Sequence, residues 1–197
     1  MTQLSVNQLV SETRKAMLGK GYGFGASDDV ARAIEWLAGF TIIPSDELLH
    51  LMHTPCEGRP DAPDVTDDRI ILRQAGIHDM LAGLDYAEAH EAQVLQLINL
   101  QYPLISIGLT ALRATPPVGQ FLPEDGTPLS VLCQNLPDEI ILYQHAYERD
   151  MPAQWPARIS IDERCYKVLK QMAFETYVPS SEQSRAAGAG AGLNDND

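Results

Sequence analysis

The chain has 197 residues, 45% of them hydrophobic, which suits one domain, or at most two small ones, and excludes global disorder. Asp and Glu number 27 against 14 Lys and Arg, a formal charge of -13. That field repels nucleic-acid phosphate and anionic lipid head groups, so neither nucleic acid nor a membrane is expected as a partner.

Three cysteines, Cys56, Cys133 and Cys165, are widely spaced with no CxxC pair. They read as reduced, mostly core thiols of a cytoplasmic protein rather than a disulfide framework. No basic and apolar leader opens the sequence. The longest apolar run, Val94 to Leu112, is interrupted by Gln96, Asn99, Gln101 and Pro103, which suits buried segments better than a membrane span.

The first predicted element is a helix over 4–19. Ser5 is its cap and Gln8 follows three residues later, as in a capping box. Val6, Val10, Thr13 and Met17 share one face. Glycines then alternate with Lys20, Tyr22 and Phe24 from Gly19 to Gly25. This loop reads as a tight turn whose two aromatic rings plug the core, or as an anion site at the next helix start. Ser27 is the expected cap of that helix, ahead of Asp28 and Asp29; Val30, Ile34 and Leu37 form its buried stripe and Gly39 its stop. Ser45 caps a third helix that turns Leu48, Leu49 and Met52 inward.

Residues 54–68 are rich in Pro, Gly and Asp and read as a loop. Residues 69–83 suit a helix or a strand followed by a helix. The pattern from Tyr86 to Leu100 predicts a helix broken by Pro103, and Leu104 to Leu112 is apolar without a clear period. In the second half, strands are expected at Gln120–Leu122 and Leu129–Leu132 around a Pro123–Pro128 turn, then at Glu139–Tyr143 and Arg158–Ile161. A final helix runs from Asp162 to about Tyr177, capped by Asp162 or Ser160, with Cys165, Val168, Leu169, Met172 and Ala173 inward. The order predicts an α+β fold: N-terminal helices, a small mainly antiparallel sheet, a C-terminal helix and a Gly-rich tail. The expected division is a single domain over 1–179 and a tail over 180–197.

Four constellations could carry chemistry. His50, His53 and Cys56, with Asp61, Asp64, Asp67 and Asp68 nearby, offer zinc-type donors, but they form one loose cluster and not two spaced pairs. The competing reading is a helix end running into a solvated acidic loop. His78, Asp79, Asp85, Glu88, His90 and Glu91 are the densest acid and base groups; the same residues also occur on ordinary surface helices. Cys165, near a helix start, has the position of an activated thiol if His145 approaches it, and equally that of a core residue. The tail holds Ser184, Arg185, Gly188, Gly190 and Gly192. Its glycines allow close backbone approach to an anion, and Arg185 adds a two-pronged donor. A frayed terminus or a structural clasp explains the same residues. The phosphate-binding patterns GxGxxG and GxxxxGK[ST] are absent from the sequence.

Residues Leu4 to Ala16, Gly21 to Gly25 and Ala31 to Leu37, with Thr176 to Pro179, Ser184, Arg185 and Gly188 to Asp197, resemble the opening and closing segments of a bacterial family, the DUF3726 domain family. The likeness is good over about the first 40 and last 25 residues and loose between. It implies that the tail belongs to the domain, and it brings no activity or cofactor. The sequence therefore points first to an accessory or interaction role. The alternative is a small-molecule-binding protein or enzyme acting on an anionic metabolite, with Ser184, Arg185, Gly188 and Gly190 at the site. A small anionic metabolite, a protein partner and a second copy of the chain are the partner classes left open, and no motif names a cofactor.

Overall fold

The computed structural model describes residues 1–56, 60, 62–66, 68–113, 119–145 and 151–176. A short strand β1 (Thr2–Leu4) leads into helix α1 (Val6–Gly19). As expected, the Ser5 hydroxyl caps α1, accepting from the Gln8 N–H at 3.1 Å. Helix α2 (Phe24–Gly39) starts earlier than predicted. Gly23 is its cap, and Ser27 lies buried inside the first turn, where its hydroxyl donates to the Gly23 carbonyl at 2.9 Å. A serine in that position satisfies itself on the preceding turn instead of opening a new helix. Of the two aromatic plugs, Tyr22 is buried and Phe24 is exposed.

Helix α3 (Ser45–His53) buries Leu48, Leu51 and Met52, while Leu49 is only partly covered; Pro44 occupies the cap position expected of Ser45. Within the expected loop lies a short strand, β2 (Asp64–Thr66). Then β3 (Arg69–Arg73), helix α4 (Ile77–Ala89), β4 (Val94–Ile98) and helix α5 (Pro103–Leu112) follow in sequence. The helix predicted over 86–100 is thus the end of α4 and a strand. The run Val94-Leu-Gln-Leu-Ile98 is β4, buried on one face by Leu95 and Leu97. Pro103 opens α5 rather than ending a helix, because the first helical position needs no N–H.

β5 (Gln120–Leu122) is present, but Leu129–Leu132 forms a helical turn, α6, instead of a strand. β6 (Glu139–His145), β7 (Ile159–Ile161) and helix α7 (Glu163–Phe174) complete the order. The α+β class, the leading helices and the closing helix stand as expected. The main sheet has the order β2-β3-β4-β6-β5 and is mixed: β3 and β4 are parallel, joined through α4, and the other neighbours are antiparallel. β1 and β7 make a separate antiparallel pair.

Ile70, Leu72, Leu95, Leu97, Ile140 and Leu142 form the buried face of the sheet. α4 lies on that face, so closely that a Cβ at Gly83 would stand 2.6 Å from both Leu72 methyls. α2 is sandwiched between α1 and α5, and α7 packs against α1 and α3. Gly19 and Gly108 permit the closest crossings. A Cβ at Gly19 would stand 2.0 Å from the Met172 carbonyl oxygen of α7, and one at Gly108 would stand 3.0 Å from Ala33 of α2.

Candidate functional site

Ser184, Arg185, Gly188 and Gly190 lie outside the described residues, and so does the expected tail. The zinc-type donors are not brought together among the described residues. His53 uses Nδ1 against the Leu49 carbonyl at 2.7 Å, and His50 turns its ring to Tyr102, with centroids 5.5 Å apart. Among the described residues no three His, Cys, Asp or Glu side chains gather as a metal ion would require; Asp61 and Asp67 are outside them.

The acid and base groups of α4 have structural partners. Asp85 and Glu88 meet Arg113 at 2.7 and 3.7 Å. His90 stacks on Tyr86 and bonds the Tyr86 carbonyl through Nδ1 at 2.9 Å. Asp79 accepts from the Gly76 N–H at 3.3 Å, closing the first turn of α4, and His78 tilts against Tyr22. Cys165 is buried on α7, and burial, then the charges of Asp162 and Asp46, pushes its thiol up to about 12. The helix-start position thus does not activate it: desolvation disfavours the thiolate more than the nearby N–H groups favour it.

One carboxylate that the sequence did not single out is unusual. Glu47 of α3 accepts from the Leu104 and Ile105 N–H groups at 2.8 and 2.9 Å. Pro103 has no N–H to satisfy, so Glu47 completes the N-terminus of α5. Burial raises Glu47 to about 7, against the opposing pull of those two donors. Residues 105–111 of α5 are all buried, while Pro103 and Leu104 at its start, and Glu47 itself, are half-buried. Glu47 is therefore a long-range helix cap whose protonation changes near neutrality. The small crevice next to it, about 90 Å³, lies at the carboxyl end of β4 between Asn99, Pro103 and Asp138, and Glu47 does not line it.

The clearest candidate for a recognition surface lies elsewhere, beside α2. Trp155 lies across the end of α2, where a Cβ at Gly39 would come within 2.9 Å of its ring and 2.7 Å of Pro152. Although anchored there, Trp155 is 43% exposed and Met151 50% exposed. Trp155 lines two concavities. One, about 470 Å³, reaches Ser5, Val6 and Asn7 at the start of α1 and continues along Pro156 and Ala157. The other, about 170 Å³, is walled by Trp36, Leu112 and Met151, with Arg32 at its rim. Glu35 lines both. The result is a groove with an aromatic centre, apolar walls and one charge of each sign.

Sequence reading missed this groove because Met151 to Ala157 has no period of its own. Its only signal was two large apolar side chains, Met151 and Trp155, among the prolines of a loop. Comparison of the chain with protein-family models, with curated proteins and with solved structures finds no match.

Proposed function

We propose that the protein acts by binding, in an accessory or interaction role, and that the groove over α2 receives a short apolar segment of a protein partner. The observation that carries this is Trp155: a large ring fixed on Gly39 yet left open, lining two concavities. Trp is costly to leave in water and is enriched where partners anchor. Arg32 and Glu35 add orientation, since a segment with a charge beside its apolar anchor meets one partner and one repeller. The reading in which Ser184, Arg185, Gly188 and Gly190 hold an anionic metabolite rests on the sequence alone.

The test is a selection of random peptides against the full chain, with every binder re-measured on Trp155→Ala. Trp36 also walls the groove, so the part of an emission shift on peptide addition that Trp155→Ala removes is the part that reports Trp155. Binders should share an apolar anchor, shift the emission to the blue and lose at least about tenfold in affinity on the variant, which is about 1.4 kcal/mol. Binders indifferent to Trp155, or a selection that yields none, would defeat the proposal.

A further inference from the structure

The buried face of the main sheet accounts for only half of its side chains. On the opposite face the register sets three rows across β3, β4 and β6: Arg73, Ile98 and Glu139; then Ile71, Gln96 and Ile141; then Arg69, Val94 and Tyr143. Ile71, Ile98, Ile141 and Tyr143 are partly exposed, and none of them belongs to the core cluster or to the residues packed against it; Val94, and Leu122 of β5 beside Tyr143, are buried. Arg73 and Glu139 are exposed, and Arg73 meets Asp64 of β2 only at 3.7 Å. Among the described residues, this is an apolar sheet face bordered by cations on β3 and an anion on β6.

We propose that this face binds the same face of a second copy of the chain, about a two-fold axis running parallel to β4 and just above it. Such an axis keeps every row at its level and exchanges β3 with β6. It sets Arg73 of each copy over Glu139 of the other, Ile71 over Ile141, and Arg69 over Tyr143. On the axis, Ile98 meets its own equivalent, while Val94 is already buried within its own chain. All three rows are complementary to themselves, which a two-fold interface requires. The pairings are an ion pair, an aliphatic pair and a cation on an aromatic ring. Gln96 is already held within its own sheet by Arg69 and Glu139, so it meets the partner with its polar atoms engaged. Face-to-face sheets pack about 10 Å apart, the spacing that such interdigitated side chains fill.

The patch is small. Three strands about 4.8 Å apart and roughly 17 Å long present on the order of 250 Å² in projection, against roughly 800 Å² per partner in a standard interface. The dimer is therefore weak, and it should be sought from about 10 µM to about 1 mM, the millimolar-to-micromolar affinity range.

Sedimentation equilibrium of the full chain over that range should show a reversible monomer–dimer equilibrium. Arg73→Glu places two carboxylates opposite each other on both sides of the axis, and Glu139→Arg does the same with two cations. Each should weaken association at least about tenfold, and the double variant should restore it to within about threefold of the original. Circular dichroism of each variant checks that the fold is kept. Independently of charge, Ile98→Cys should be linked to its own equivalent in a dimer by a short bis-maleimide spanning about 10 Å, the separation of facing sheets, with the linked peptides identified by mapping. Ile71→Cys, placed away from the axis, should not link to its own equivalent. A strict monomer up to 1 mM, a dimer untouched by the single charge changes, a double variant that stays monomeric, or self-linkage at position 71 in place of 98 overturns the proposal.

Discussion

Replacing Glu47 by glutamine should remove a specific part of the pH dependence of stability. Burial raises the Glu47 carboxyl from 4.5 to about 7 in the folded chain. A raised folded value means that the native state holds the proton more tightly than the unfolded state does. The contribution is then most favourable below about 4.5, falls as pH rises, and levels off above about 7. A difference of about 2.5 pH units corresponds to about 3 kcal/mol. Other carboxylates titrate in the same range, so the quantity to measure is the stability of the native chain minus that of Glu47→Gln. Urea unfolding at half-unit steps from pH 4.5 to 8 gives it. That difference should fall by about 3 kcal/mol across the range. A flat difference curve would show that the carboxylate is not buried in the α3–α5 seam. A curve rising with pH would show that the Leu104 and Ile105 donors outweigh desolvation. Glu47→Ala supplies the other bound: two N–H groups lose their acceptor, at a cost of about 1–3 kcal/mol each if water cannot replace it.

Gly19→Ala should destabilise by several kcal/mol or shift α1 against α7, because the new methyl meets a backbone carbonyl. Gly25→Ala has open space within α2 and should stabilise by about 0.4–1 kcal/mol; thermal and urea melts of the pair decide both. Cys165 should resist thiol alkylation in the folded chain and react only as fast as the chain unfolds, while the partly exposed Cys56 and Cys133 react first, as read by mass spectrometry. Filter binding at low salt should find no saturable micromolar affinity for DNA or RNA, given a formal charge of -13.

The helices at both ends of the chain were legible because their signals are local. Ser5 caps α1 and Asp162 caps α7, where it accepts from the Cys165 N–H at 3.0 Å, and both helices bury one stripe at the helical period. The middle was not legible, and the reason is visible in β3-α4-β4. Val94-Leu-Gln-Leu-Ile98 is too short and too apolar for its period to separate strand from helix. Its neighbour β3 lies more than twenty residues upstream, so no turn motif announces their pairing. The left-handed residues Gln74 and Asn99, with φ of 49° and 50°, end these two strands, but neither is a glycine that would mark the turn.

The candidate surfaces failed to appear in the sequence for a related reason. A site built from one element leaves a motif; these are built from several. Trp155 needs Gly39, more than a hundred residues earlier, to become a fixed ring, and Arg32, Glu35 and Trp36 to become part of a groove. Glu47 needs Pro103 to start α5 before its carboxylate has two donors to bind. In each case the residue looked ordinary because its partner is remote. The residues that looked chemical — the histidines, the acidic pairs of α4 and the thiol of Cys165 — are those the fold uses for caps, stacking and core. Dense titratable groups along a chain therefore say little here. What distinguishes a surface for recognition is a side chain held firmly by the fold and still left open to solvent, and among the described residues Trp155 meets both conditions.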